Sequence, residues 1–273
     1  MTILVTGATG TVGRHVVGEL IRAGQRVRAL TRNPAGANLP AGVEVVAGDL
    51  TLTDSLVPAL DGVTAVHLIT FGGDDYGVLR NGREIVELLT ETGVRKVTVL
   101  GGWDEGTLEP AVRAGSLAWT FVYPTEFMSN AMGWAGSIRA EGVVREPFGD
   151  ATTAMVHEAD IGAVAATALM EDGHAGLTYA LTGPERLSTR DKVRILGEAV
   201  GREIEFVELT VEQAREKMAA EGQPEEMIEF LLDVFGNVPE EANTVNSTIE
   251  KVTGRPARTF AQWAAEHADA FRA

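Results

Sequence analysis

A short β-branched run, Thr2–Thr6, ends on Gly7-Ala8-Thr9-Gly10-Thr11-Val12-Gly13. Apolar residues at helical spacing then run from Val12 to Ala23, and Gly24 sits where a C′ glycine belongs. Strand, glycine turn and helix in that order restrict the chain to few folds. One glycine permits the tight turn, another lets a ligand approach the backbone, and the last packs helix on strand. The unpaired N–H groups at the helix start and the helix dipole then favour an anion. The spacing is G-x-x-G-x-x-G, and its position between a strand and a helix predicts a pyrophosphate site on a Rossmann-type domain.

The strand–helix alternation continues. Arg26–Thr31, Val43–Ala47, Ala65–Thr70, Lys96–Leu100 and Trp119–Tyr123 read as strands. Thr53–Leu60 reads as a short helix capped by its Thr, and Val78–Thr92 as a helix closed by Gly93. Near-continuous apolar strands between helices predict a doubly wound α/β parallel sheet, buried on both faces.

After Pro124 the pattern loosens. Thr125–Ile138 is rich in Phe, Met, Trp, Gly and Asn, and an Ala-rich helix is expected over Asp160–Leu169 with Asp160 as its N-cap. Ser188 with Asp191, Thr210 with Gln213 and Thr259 with Gln262 have the spacing of capping boxes. Glu225–Phe235 bunches apolar residues, as either a lid or a core helix. The expected organisation is a Rossmann core over 1–124. A smaller, mostly helical substrate lobe follows over 125–273, interleaved with the last sheet elements in one compact unit.

The second strand ends Leu30-Thr31-Arg32-Asn33, without the acid that binds a ribose 2′-hydroxyl in NAD-selective sites. Arg32 instead offers a fork suited to a 2′-phosphate, which predicts NADPH. Gly48-Asp49-Leu50 follows the third strand; the carboxylate is placed to accept a bond from the adenine amino group, with Leu50 packed nearby. Acids outnumber bases 39 to 23, for a net charge of −16. Such a surface repels phosphate polymers, so no nucleic-acid partner is expected. The chain has no cysteine, which excludes thiol nucleophiles, disulfides and zinc–thiolate sites, and no metal site is expected. With neither a signal-like N-terminus nor an apolar run of membrane-spanning length, a cytoplasmic protein without membrane attachment is expected.

Together these motifs resemble the NmrA-like group of atypical short-chain dehydrogenase/reductases, NAD(P)H-binding and quinone-reductase-like. Further matches are Tyr123-Pro124 with Phe127 and Asn130, His157-Glu158-Ala159-Asp160-Ile161, Thr178–Pro184 and Val252-Thr253-Gly254-Arg255. The resemblance implies a Rossmann fold with a C-terminal substrate lobe. It implies that Gly7, Thr9, Gly10, Thr11, Val12 and Gly13 hold the pyrophosphate and Arg32 the 2′-phosphate. Asp49 and Leu50 then frame adenine, and Thr70 and Phe71 border the ribose and nicotinamide. Lys supplies four of the 23 basic residues, the bias of a GC-rich genome, where such reductases often serve secondary metabolism.

One departure bears on chemistry. Ordinary short-chain dehydrogenases carry Tyr-x-x-x-Lys on the helix after strand five and a Ser at that strand's end. Here strand five ends Leu100-Gly101-Gly102-Trp103, and the helix expected over Leu108–Ala114 holds neither Tyr nor Lys. Tyr76, Tyr123 and His157 are the candidate proton donors. Phe71, Trp103, Phe127, Met128 and Trp134 follow strand ends or lie in the loose segment, and with Asn130 they are the candidate substrate contacts. Aromatics there suit a flat, apolar small molecule. The function expected is hydride transfer from NADPH to a planar conjugated substrate such as a quinone, enone, imine or ketone. The alternatives are a non-catalytic NADP(H) sensor acting through a protein partner, and an epimerase or dehydratase.

Overall fold

A computed structural model of the chain describes residues 1–73, 77–102 and 105–272. Two compact units emerge. The first comprises Met1–Pro124, Glu158–Leu181 and Thr248–Arg255; the second comprises Thr125–His157, Thr182–Ser247 and Pro256–Ala273.

Among the described residues, the first unit's main sheet has seven strands: β1 (Thr2–Val5), β2 (Arg26–Thr31), β3 (Glu44–Ala47), β4 (Ala65–Ile69), β5 (Lys96–Leu100), β6 (Ala118–Pro124) and β7 (Leu177–Leu181). They form one parallel sheet in the order β3-β2-β1-β4-β5-β6-β7. The winding reverses between β1 and β4, the switch point at which sheets of this class open a ligand crevice. The doubly wound α/β fold is therefore as expected.

Helices that flank the sheet include α1 (Gly13–Arg22), α2 (Gly82–Glu91), α3 (Leu108–Ala114) and α4 (Glu158–Met170). One core joins Leu4, Leu30, Val66, Leu68, Val97, Val99 and Phe121 of the strands to Leu56, Leu60, Ile85, Leu89, Leu108 and Val112. Each such side chain, fully buried, contributes roughly 1.5–3 kcal/mol. Helices α1 and α4 cross at backbone distance. A Cβ on Gly162 would stand 2.6 Å from the His15 Cβ and 2.9 Å from the Val16 nitrogen.

Several local expectations are corrected. The helix expected from Val78 begins at Gly82, because Leu79 is held extended: its N–H donates to Thr70 and its carbonyl accepts from Thr107. Gly77–Val78 instead pairs antiparallel with Phe71–Gly72. Thr53–Leu60 is a 3₁₀ helix containing Pro58, and the Thr53 hydroxyl accepts from Asn81 rather than capping. Asp160 is not an N-cap: the helix starts at Glu158, and Asp160 lies buried in its first turn, where the dipole favours an acid.

In the second unit, Val143–Glu146 pairs in parallel with Glu205–Glu208. Its main core gathers Ile138, Val144, Leu196, Phe260, Trp263 and Phe271. All three capping boxes form as their spacing predicts. Ile228 and Leu232 of the helix Glu225–Gly236 pack on Ala214 and Met218. No helix among the described residues is long and apolar enough to cross a membrane.

The first unit's sheet buries one titratable ring. His67 on β4 is fully enclosed, with Nδ1 2.9 Å from the Thr98 hydroxyl and Nε2 without a partner. Burial lowers its pKa to about 4. The unfolded chain, near 6.5, therefore binds a proton that the folded chain refuses. The neutral ring's contribution is complete above pH 6.5 and lost as pH falls toward 4. We expect about 3 kcal/mol of stability to disappear across that window from this group. Denaturant unfolding between pH 7 and 4.5 checks it: His67→Val should show a pH slope smaller by up to one proton, and an unchanged slope refutes the assignment.

Candidate active site

The glycine turn begins where β1 is tied to β4. Buried Thr6 donates its N–H and its hydroxyl to the His67 carbonyl, both at 3.0 Å, and its hydroxyl accepts from the Ile69 N–H at 3.0 Å. The chain then turns at Gly7, whose φ of 59° suits glycine. The Gly10 N–H donates back to the Gly7 carbonyl at 2.9 Å. At Gly13 a Cβ would lie 2.0 Å from the Gly7 oxygen, so only a glycine lets α1 start this close to the turn. Thr9, Gly10 and Thr11 are exposed, whereas Val12 and Gly13 are buried. Among the described residues, the N–H groups of Thr11 and Val12 have no hydrogen-bond acceptor. Unsatisfied donors at a helix start, around a cradle that any Cβ would fill, fit a pyrophosphate.

At the ends of β2 and β3 an open cleft of about 640 Å³ is lined by Arg32, Ala47, Gly48, Asp49, Thr51, Ser55 and Gly73. Arg32 and Asp49, separated in sequence, thus share one cleft. The Asp49 carboxylate is fixed from one side. Its Oδ1 accepts from the Thr51 N–H and hydroxyl, both at 2.8 Å, while the Asp49 N–H donates to the Ser55 hydroxyl at 2.9 Å. Among the described residues Oδ2 accepts no hydrogen bond. Leu50 is buried in the core. Thr70 is buried at the end of β4 and Phe71, next to it, is half-buried.

Tyr76 and Trp103 lie outside the described residues. The Tyr123 ring stacks on Phe121 at 6.0 Å, and its hydroxyl accepts from Arg113 of α3 at 3.3 Å. Burial raises the Tyr123 pKa, outweighing the neighbouring Arg113 charge, so the phenol stays protonated at neutral pH. In the second unit, Met128 is buried. Phe127 is half-buried and bridges to Val156, Asn130 is exposed, and the Trp134 indole donates to Glu146 at 3.0 Å. Buried His157 places Nε2 3.3 Å from the Glu266 carboxylate. Sequence reasoning missed Thr51 and Ser55, although Asp-x-Thr is an Asx-turn signature. It also missed Arg14, which directly follows the last glycine.

Residues 7–110 match a family model described as NAD(P)H-binding. Over 98% of its length the chain is 39% identical to a (4-alkanoyl-5-oxo-2,5-dihydrofuran-3-yl)methyl phosphate reductase of Streptomyces griseus, covering 99% of that protein. The chain belongs to the NAD(P)H-binding, NmrA-like atypical short-chain dehydrogenase/reductases. It is 36% identical to an NAD(P)H azoreductase of Xenophilus azovorans, with 99% of each covered. Its fold is similar to that of the Escherichia coli NADPH-dependent quinone oxidoreductase solved with NADPH. The TM-score is 0.81 at 23% identity, over 97% of this chain and 99% of that one. As a member of this family, the chain is an NAD(P)H-dependent reductase.

The end of β5 lacks the Ser of ordinary short-chain dehydrogenases. A Cβ on Gly101 would stand 2.1 Å from the Tyr123 ring, so a side chain there would displace Tyr123, whereas at Gly102 only the Thr70 hydroxyl comes within 4 Å, at 3.8 Å. Helix α3 holds neither Tyr nor Lys.

The cradle makes a definite prediction. Gly13→Ala should raise the dissociation constant for the reduced cofactor by about tenfold or more, because the turn must open to admit the methyl group. Gly18→Ala, with only the tip of Arg22 within 4 Å of the new Cβ, is the matched control on the same helix. Titration of cofactor fluorescence measures both, and equal affinities would remove the turn from the binding site.

Proposed function

We propose that the chain is an NADPH-dependent reductase that delivers hydride to an activated, conjugated double bond of a planar small molecule: a quinone, enone, azo compound, imine or ketone. The observation that carries this reading is the cleft at the ends of β2 and β3. There Arg32 provides the fork for a 2′-phosphate, and Asp49, held by Thr51 and Ser55, provides an acceptor for adenine. Thr11 and Val12 bind the pyrophosphate through their N–H groups. Thr70 and Phe71, at the switch point, border the nicotinamide end.

When bound, the cofactor supplies the hydride. The substrates named for the two relatives, an acyl-dihydrofuranone and azo compounds, share an electron-poor double bond. A hydride added to such a bond leaves a negative charge delocalised onto carbonyl oxygen or nitrogen, and one proton from water completes the two-electron reduction. The enzyme then need not hold a strong acid. Tyr123, kept protonated by burial, and His157 remain the described donor candidates, with Arg113 and Glu266 as their respective partners. Phe127, Asn130 and Trp134 are the proposed substrate contacts. The full-length reductase relatives favour turnover over a sensing role.

The test is oxidation of NADPH beside NADH by the purified protein with panels of quinones, enones, azo dyes and cyclic imines. Arg32→Ala should raise the Michaelis constant for NADPH about thirtyfold, the loss of about 2 kcal/mol of charge-assisted bonding, and that for NADH less than about threefold. Equal effects on both cofactors would refute the 2′-phosphate assignment, and tight NADPH binding without turnover on any panel would refute the substrate class.

A further inference from the structure

We propose that Arg14 is a positioning residue of the anion-binding turn, setting the peptide planes that face the pyrophosphate; this rests on the cofactor placement proposed above. Arg14 is exposed on the first turn of α1. Its Nε donates to the Gly10 carbonyl at 3.1 Å and its Nη2 to the Thr9 carbonyl at 3.1 Å, while its own backbone N–H also reaches the Gly10 oxygen at 3.3 Å. One side chain therefore grips two successive carbonyls of the turn.

Peptide planarity turns that grip into function. Across a trans peptide the C=O and the next N–H point in opposite directions. Holding the Gly10 oxygen toward the helix aims the Thr11 N–H away from it, and that N–H has no acceptor among the described residues. The Thr9–Gly10 plane is held at both ends, since the Gly10 N–H is bound by the Gly7 oxygen.

Charge placement points the same way. A cation at a helix N-terminus meets the positive end of the dipole, so Arg14 is unfavourably placed for the helix alone. Arg22, at the favourable end of α1, pairs with Glu19 at 2.9 Å, whereas among the described residues Arg14 bonds to carbonyls. A bound anion reverses the sign of that interaction.

The experiment separates the two phosphate groups with fragments. ADP carries the pyrophosphate without a 2′-phosphate; 2′-AMP carries the 2′-phosphate without a pyrophosphate. Calorimetric titration of each is run on the whole protein and on Arg14→Gln, Arg14→Lys and Arg32→Ala, with circular dichroism confirming folding. Arg14→Gln should weaken ADP about tenfold and 2′-AMP less than about twofold, and Arg14→Lys should recover only part of the loss, since an ammonium cannot span both carbonyls. Arg32→Ala should show the reverse preference. Equal weakening of both fragments by Arg14→Gln, unchanged ADP binding in it, or full rescue by Lys overturns the positioning role. If the unaltered protein binds neither fragment, the cofactor placement itself fails; if Arg32→Ala behaves as expected and Arg14→Gln does not, only the Arg14 inference falls.

Discussion

The contact on which the first unit depends is the approach of Gly13 to the Gly7 carbonyl. No side chain fits between them, so the start of α1 is locked against the end of β1. That lock aims the helix start at the crevice between β1 and β4. Thr6 extends it across the switch point through its bonds to His67 and Ile69. The same close packing recurs behind the sheet, where Gly162 admits α4 to α1. The crevice is thus shaped by backbone–backbone contacts, which have two soft torsions per residue and no rotamers to reorder.

A chain of net charge −16 that binds a polyanion must solve an electrostatic problem locally. Surface carboxylates more than about 8 Å away are largely screened at physiological salt, whereas donors within bonding distance are not. The proposed site uses N–H groups of the turn and two arginines, Arg14 and Arg32, placed after β1 and β2. Asp49, the acid of the cleft, is turned by Thr51 so that half of its carboxylate is already occupied. A carboxylate held that way can accept from an amino group without directing its whole charge at the phosphates.

What was legible in the sequence was whatever a local pattern dictates. The glycine turn, the six expected strands, the three capping boxes, and Arg32 and Asp49 as strand-end residues all rest on spacing within a few positions. What was not legible rests on partners far along the chain. Leu79 has helical neighbours but is held extended by Thr70 and Thr107. Thr53 has the identity of a cap, yet its hydroxyl serves Asn81. Strand β7 escaped because it lies at the sheet edge, where Leu177 and Thr178 are exposed and no apolar run marks it. Arg14 was invisible for another reason: its role depends on the direction of two carbonyls, which no residue type encodes.

The absence of the Tyr-x-x-x-Lys pair from α3 narrows the chemistry. In its usual setting that pair supplies an acid strong enough to protonate an alkoxide as it forms. Tyr123, the donor candidate described in the first unit, has its pKa raised by burial, which makes it a poorer acid than free tyrosine. The Tyr123 ring fills the space that a side chain at position 101 would need, whereas position 102 has room for one. Restoring the usual Tyr–Lys pair would require changing α3. The proposed substrate class suits that loss. Electron-poor conjugated double bonds stabilise their own developing charge, so their reduction does not require the acid that the missing pair would supply.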